Sequence, residues 1–111
     1  MRQEREGVLL RIFMGDSDRH EGKPLYHVLV DRARAQGLAG ATALHGPMGF
    51  GHHSRVHTSK LAELSAYLPI VIEIIDSREA IERFMADIEA VVTEGLVTLE
   101  NVRIVTFSVD R

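Results

Sequence analysis

Apolar and polar residues alternate over Val8–Met14, with Val8, Leu10, Ile12 and Met14 on one side and Leu9, Arg11 and Phe13 on the other. Successive side chains of an extended chain point to opposite faces, so this segment predicts a β-strand. A polar, turn-rich stretch, Gly15–Glu21, breaks the pattern. Behind Pro24 the period changes to that of a helix, with Leu25, Val28, Leu29 and Ala33 on one stripe and Gly37 placed to supply a left-handed stop. Proline suits a first helical turn because its missing N–H costs nothing there, whereas Lys23 is a poor N-cap. Ala39–His45 predicts a second strand, whose alanines suit close packing. Pro69 opens a third, Ile70–Ile75, so nearly apolar throughout that it predicts burial on both faces. Asp76 and Glu79 have capping-box spacing ahead of the clearest helical stripe in the chain, Ile81, Phe84, Met85, Ile88, Val91 and Val92, which Gly95 closes. After a connection over Leu96–Asn101, Val102–Val109 predicts the fourth strand.

The order β-α-β-β-α-β predicts an α+β, ferredoxin-like sandwich: a four-stranded antiparallel sheet with two helices on one face. Two helices cover only that face. The other face is expected to carry Leu9, Phe13, Leu44, Val71, Ile75, Val105 and Phe107, with Arg11, Glu73 and Arg103 among them. Such a face is too apolar to stay wet, which predicts packing against further copies of the chain. The two arginines and the glutamate are placed to pair across neighbouring strands.

Length and composition narrow the classes. At 111 residues, 45% hydrophobic and 26% charged, the chain reads as one globular domain over 8–111 behind a flexible tail at 1–7. A formal charge of −3 argues against broad electrostatic binding to nucleic acid or acidic membranes. The absence of cysteine excludes disulfides, iron–sulfur clusters and thiolate catalysis. The charged start is no signal peptide and no apolar run approaches a membrane span, so the expected compartment is the cytoplasm, with no direct membrane insertion.

The chemistry gathers in His45–Leu68, HGPMGFGHHSRVHTSKLAELSAYL. A connection of roughly 20 residues is long for a compact domain and points to function; Ser59–Tyr67 has room for a helical turn or two. Gly46, Gly49 and Gly51 permit sharp turns and close approach, so Gly46–Gly51, with Phe50 inside it, can present backbone N–H groups to an anion. The motif is neither a P-loop nor a dinucleotide fingerprint, because no Lys-Ser/Thr follows and it leaves a strand for a loop. Arg55 offers a bidentate contact to phosphate. His52, His53 and His57, near His45, are imidazoles suited to zinc, copper or nickel, although adjacent histidines point apart in most backbones. Asp16, Asp18, Glu21 and Lys23 resemble an acid–base set but have no neighbouring nucleophile, and Asp-Ser-Asp more often builds local turns. No catalytic constellation emerges, and the chain reads as a binding protein, not an enzyme.

Four segments, LRIFMGDSDRHEGKPLY, GLAGATALHGPMGFG, SRVHTSKLAELSAYLPIVIEIID and EGLVTLENVRIV, together resemble the PII-like family catalogued as domain of unknown function 190, over Leu10 to about Val105. GxxGFG followed by SRxHT is the most distinctive part. The resemblance implies a ferredoxin-like homotrimer of the PII signalling type, with a small-molecule ligand, such as an adenine nucleotide, in clefts between subunits. It also implies that the connection between the second and third strands, the T-loop, meets a protein partner. On the PII arrangement Gly95 and Thr98, after the second helix, border the cleft that Gly46, Gly49, Phe50, Gly51 and Arg55 line, and Arg103 would add positive charge unless Glu73 holds it. The tyrosine modified in true PII proteins is missing, Tyr67 being the sole tyrosine of the loop, and Thr93–Thr98 replaces their glycine-lysine phosphate loop.

Two other readings share the element order. A divalent-metal-binding protein of the CutA type would use His52, His53 and His57. An RNA-recognition module should carry aromatics on its first and third strands, but the third strand here has none. A small acyl-phosphate hydrolase would need an arginine-bearing phosphate loop after the first strand, and none is present.

Overall fold

The computed structural model describes residues 1–49, 57–58 and 68–109. In chain order the elements are β1 (Arg2–Gly15), β2 (Arg19–His20), β3 (Lys23–Pro24), α1 (Leu25–Ala35), β4 (Gly40–His45), β5 (Met48–Gly49), β6 (His57–Thr58), β7 (Pro69–Asp76), α2 (Arg78–Ile88) and β8 (Leu96–Phe107). Strands β4, β7, β1 and β8 lie side by side in that order, and every pairing is antiparallel. This is the ferredoxin-like α+β architecture that the element order predicts.

Hydrophobic alternation explains how the layers meet. Val8, Leu10 and Ile12 of β1 and Ile70, Ile72 and Ile74 of β7 are buried on one face. They pack against Leu25, Leu29 and Ala33 of α1 and Ile81, Phe84 and Ile88 of α2. Full burial of such side chains contributes about 1.5–3 kcal/mol each, which makes this layer the main source of stability. Helix α1 has no side-chain cap; instead the amide of Leu25 donates to the Asp18 carbonyl at 2.8 Å. That contact supplies the start that Lys23 does not. Gly37, at φ +72°, ends the helix as its position predicts.

Several boundaries differ from the pattern. The stretch expected as a tail is strand: Arg2–Gly7 pairs residue for residue with Val102–Phe107. Its alternating charges are matched by neighbours, with Arg2 2.9 Å and Arg103 3.3 Å from Glu4, so polarity does not prevent pairing. The expected connection over Leu96–Asn101 is the first half of β8, which places Val97 opposite Ile12 and Leu99 opposite Leu10. Helix α2 is capped by Ser77, whose hydroxyl accepts from the Ala80 amide at 3.2 Å. Asp76 instead receives the amides of Ser77 at 2.6 Å and Ala39 at 2.9 Å. The helix ends at Ile88, well before Gly95, where the amides of Val91 and Val92 both turn back to the Ile88 carbonyl.

The register also corrects the membership of the uncovered face. On β8 it comprises Leu96, Thr98, Glu100, Val102 and Ile104, in line with Phe13, Arg11, Leu9, Gly7 and Arg5. Arg103, Val105 and Phe107 stand on the opposite side, beyond the reach of the helices. Beginning the strand six residues late concealed the register that assigns their face.

Candidate functional site

Three connections open at one end of the sheet: 16–24 after β1, 46–68 between β4 and β7, and 89–95 before β8. The middle one is tied at its base. The Gly46 amide donates to the Pro69 carbonyl at 2.8 Å, and a side chain on Gly46 would come within 3.0 Å of the Pro69 ring. Asp16 binds the returning strand twice: its amide donates to the Leu68 carbonyl at 2.9 Å, and its Oδ1 accepts the Leu68 amide at 3.0 Å. Its other oxygen lies 4.0 Å from His45 Nε2 at the outgoing limb. The Tyr26 and His45 rings meet in a T-shaped arrangement, with centroids 6.0 Å apart. Beyond this base, β5 and β6 bring the limbs together again, Met48 opposite Thr58 and Gly49 opposite His57.

Asp18 holds its own turn, accepting the Gly15 amide at 3.1 Å through its carboxylate and the Leu25 amide through its carbonyl. Beside it a half-open cleft is lined by Asp18, Arg19, Leu25, Val91, Thr93 and Glu94, joining the first and third connections.

Of the residues that the sequence singles out, Gly46, Gly49 and Gly95 lie at this end, Gly95 beside the Phe13 carbonyl. Thr98 sits on the uncovered face opposite Arg11. Phe50, Gly51, His52, His53 and Arg55 lie outside the described residues, as does the turn expected over Ser59–Tyr67. His57 is placed on β6 by its backbone. Arg103 is not brought to this end of the protomer. It lies opposite Glu6, about 23 Å along β8 from Leu96, and its ion partner is Glu4, not Glu73. Among the described residues no group of three His, Cys, Asp or Glu side chains is placed to hold a metal ion.

Arg11 is the charged centre of the uncovered face, 3.0 Å from Glu73 and 3.1 Å from Glu100. Hydrogen bonds to these two carboxylates raise its pKa above the ordinary value. The cross-strand pair with Glu73 is one that alternation predicts; the Glu100 contact required the register of β8. Asp16 was visible in the sequence only as part of a polar turn, because nothing local marks a partner 52 positions away.

The four-stranded antiparallel sheet and its two helices place the chain among PII-like folds. It superposes on CPII of Thiomonas intermedia K12, in a structure described as bound to ADP and bicarbonate, with TM-score 0.67 and 14% identity over 92% of this chain and 91% of that one. A Bacillus subtilis GlnK–ATP complex aligns with TM-score 0.55 and 15% identity over 87% of this chain and 82% of that one. At these identities the likeness is one of fold. The chain belongs to the family DUF190 (Uncharacterized ACR, COG1993), whose model matches residues 7–104. A UPF0166 protein of Aquifex aeolicus (strain VF5) is 42% identical over 97 residues, 87% of this chain and 91% of the relative.

Proposed function

We propose that this chain is a PII-like regulatory protein: a cytoplasmic homotrimer that binds an adenine nucleotide between subunits and relays occupancy to a protein partner through the 46–68 connection. The observation that carries the reading is the convergence of three connections at one end of the sheet, the longest tied to the first by Asp16. A ligand contacting any of them has a short mechanical path to the others. The nucleotides named for CPII and GlnK, ADP and ATP, support the ligand class.

Residue chemistry supplies contacts of the right kind. The Gly46 amide is held by the Pro69 carbonyl, so backbone donors around Gly49 and Gly51 are the ones that suit a phosphate, while Phe50 offers an apolar surface to a base and Arg55 a charge-assisted contact. Gly95 borders the same end and Thr98 lies two residues into β8 on the open face, opposite Arg11, whereas Arg103, held by Glu4 at the far end, does not contribute within a protomer. With no lysine-rich phosphate loop, binding should be modest and should weaken with salt. The uncovered face supports assembly, with Leu44 49% and Leu96 51% exposed among further apolar neighbours. No helix among the described residues is long and apolar enough to cross a membrane.

Calorimetric titration with AMP, cyclic AMP, ADP and ATP, with and without magnesium, tests the ligand. At least one should bind, and Arg55→Ala should bind it more weakly. No heat from any of them at millimolar concentration refutes the nucleotide reading, while unchanged affinity in Arg55→Ala removes only that residue's role.

A further inference from the structure

We propose that His45 is a proton-operated latch on the 46–68 connection. With its imidazole protonated it pairs with Asp16, so that one carboxylate holds both limbs; with the imidazole neutral, the outgoing limb is released from that carboxylate. The inference rests on the relay role proposed above for this connection and adds pH as a second input to it.

The partners come from three elements: Asp16 follows β1, His45 ends β4 and Tyr26 lies in the first turn of α1. Asp16 is committed to the return limb through Oδ1, which accepts the Leu68 amide at 3.0 Å. Its Oδ2 stands 4.0 Å from His45 Nε2. A neutral imidazole gains little at that separation, because a hydrogen bond needs roughly 2.7–3.2 Å. A protonated one carries a charge, and charge attraction falls off only as the inverse of distance, so it still acts there. Both ring nitrogens then donate, and a small ring movement closes the gap to hydrogen-bond length. The His45 side chain is 50% exposed and that of Asp16 25%, so water can deliver the proton while the carboxylate is partly shielded. Tyr26, half-buried against the His45 ring, limits how far the imidazole swings from Asp16.

An imidazole ordinarily gains its proton near pH 6.5, inside the range where other side chains keep their charge. Among the described residues, no other group placed against His45 changes charge there. The rest of β4, Gly-Ala-Thr-Ala-Leu, does not titrate, and Ile70 stands across the strand pair beside Pro69. Helix α1 presents Tyr26, a phenol, which is uncharged near neutrality. The loop after β1 presents Asp16, while the Asp18 carboxylate is turned to the Gly15 amide at 3.1 Å. His57, opposite Gly49, belongs to the next pairing outward. At the base itself the Gly46 amide, next to His45, donates to the Pro69 carbonyl, next to Leu68. A proton on His45 therefore closes a ring of contacts through Asp16, Leu68, Pro69 and Gly46. The added attraction is complete below the ordinary imidazole range and is lost as the pH rises through it.

Hydrogen exchange of the free protein at about pH 5.5 and about pH 8 tests the latch, with rates corrected for the intrinsic pH dependence of exchange. The amide of Ile72, fully buried, serves as the reference. Protection of the Leu68 and Gly46 amides should be roughly 1.5- to 5-fold higher at the lower pH, the range of a half-exposed ion pair. His45→Gln keeps a polar side chain without a titrating ring and should abolish the difference. Asp16→Asn keeps an acceptor for the Leu68 amide and should abolish it too. Equal protection at the two pH values in wild type, or a difference that survives in either variant, overturns the inference. Because no ligand is present, a failed latch leaves the nucleotide reading standing, and a protein that binds no nucleotide still shows the pH difference if the latch operates.

Discussion

Asp16 and Leu68, 52 positions apart, hold each other through two hydrogen bonds, one in each direction, at 2.9 and 3.0 Å. This makes the return limb of the 46–68 connection an extension of the loop after β1. The same carboxylate faces His45 on the outgoing limb, so one side chain touches both ends of the connection.

Replacing that side chain should loosen the base without unfolding the domain. In Asp16→Ala the half-buried Leu68 amide loses its acceptor, at a local cost of about 1–3 kcal/mol. Hydrogen exchange at Leu68 should accelerate roughly 5- to 150-fold, while exchange in Ile70–Ile74 stays slow. Asp16→Asn keeps the acceptor oxygen and should recover most of the protection. Equal exchange in wild type and Asp16→Ala would show that the amide is held by other means.

Asp76 predicts an acid-side loss of stability. Burial opposes its charge, but the amides of Ser77 and Ala39, together with Arg5, outweigh burial and hold its pKa below the ordinary carboxylate value. A depressed folded-state pKa means that the unfolded chain takes up the proton first as pH falls. The stabilisation is therefore complete above the unfolded value near 4 and is lost as pH drops through the lower folded value. Denaturant titrations between pH 2 and 7 should show a shallower acid limb for Asp76→Asn than for wild type. Parallel curves would remove Asp76 as a source of the pH dependence.

The open face should decide assembly. Leu44, Val71, Phe13 and Leu96 form one row across all four strands. Leu44→Glu places a charge in that row on an exposed side chain, where the isolated protomer tolerates it but a packed interface does not. Light scattering at micromolar concentration should show an oligomer for wild type and a shift towards 12.4 kDa for the variant. An unchanged mass would move the interface elsewhere.

Sequence alone determined the elements whose stabilising pattern is local. Alternation along Val8–Met14 and the apolar run Ile70–Ile75 marked the two central strands, because strand side chains repeat every two residues. The stripe from Ile81 to Ile88 marked α2 in the same way, at helical spacing. The glycines around Gly46 and Gly49 and the length of the 46–68 connection marked the end at which the three connections meet, since so long a link stands out in a compact chain. Tertiary structure decided what depends on partners distant in sequence. Arg2–Gly7 looks like a tail until Val102–Phe107 pairs with it, because backbone hydrogen bonding is indifferent to the charges that the side chains carry. Leu96–Asn101 reads as a connection until the register sets Val97 against Ile12, and that register moves Arg103 from Glu73 to Glu4. Asp16 reads as one polar residue in a turn until the sheet brings Leu68 beside it, because a hydrogen bond between positions so far apart leaves no periodic trace in either segment.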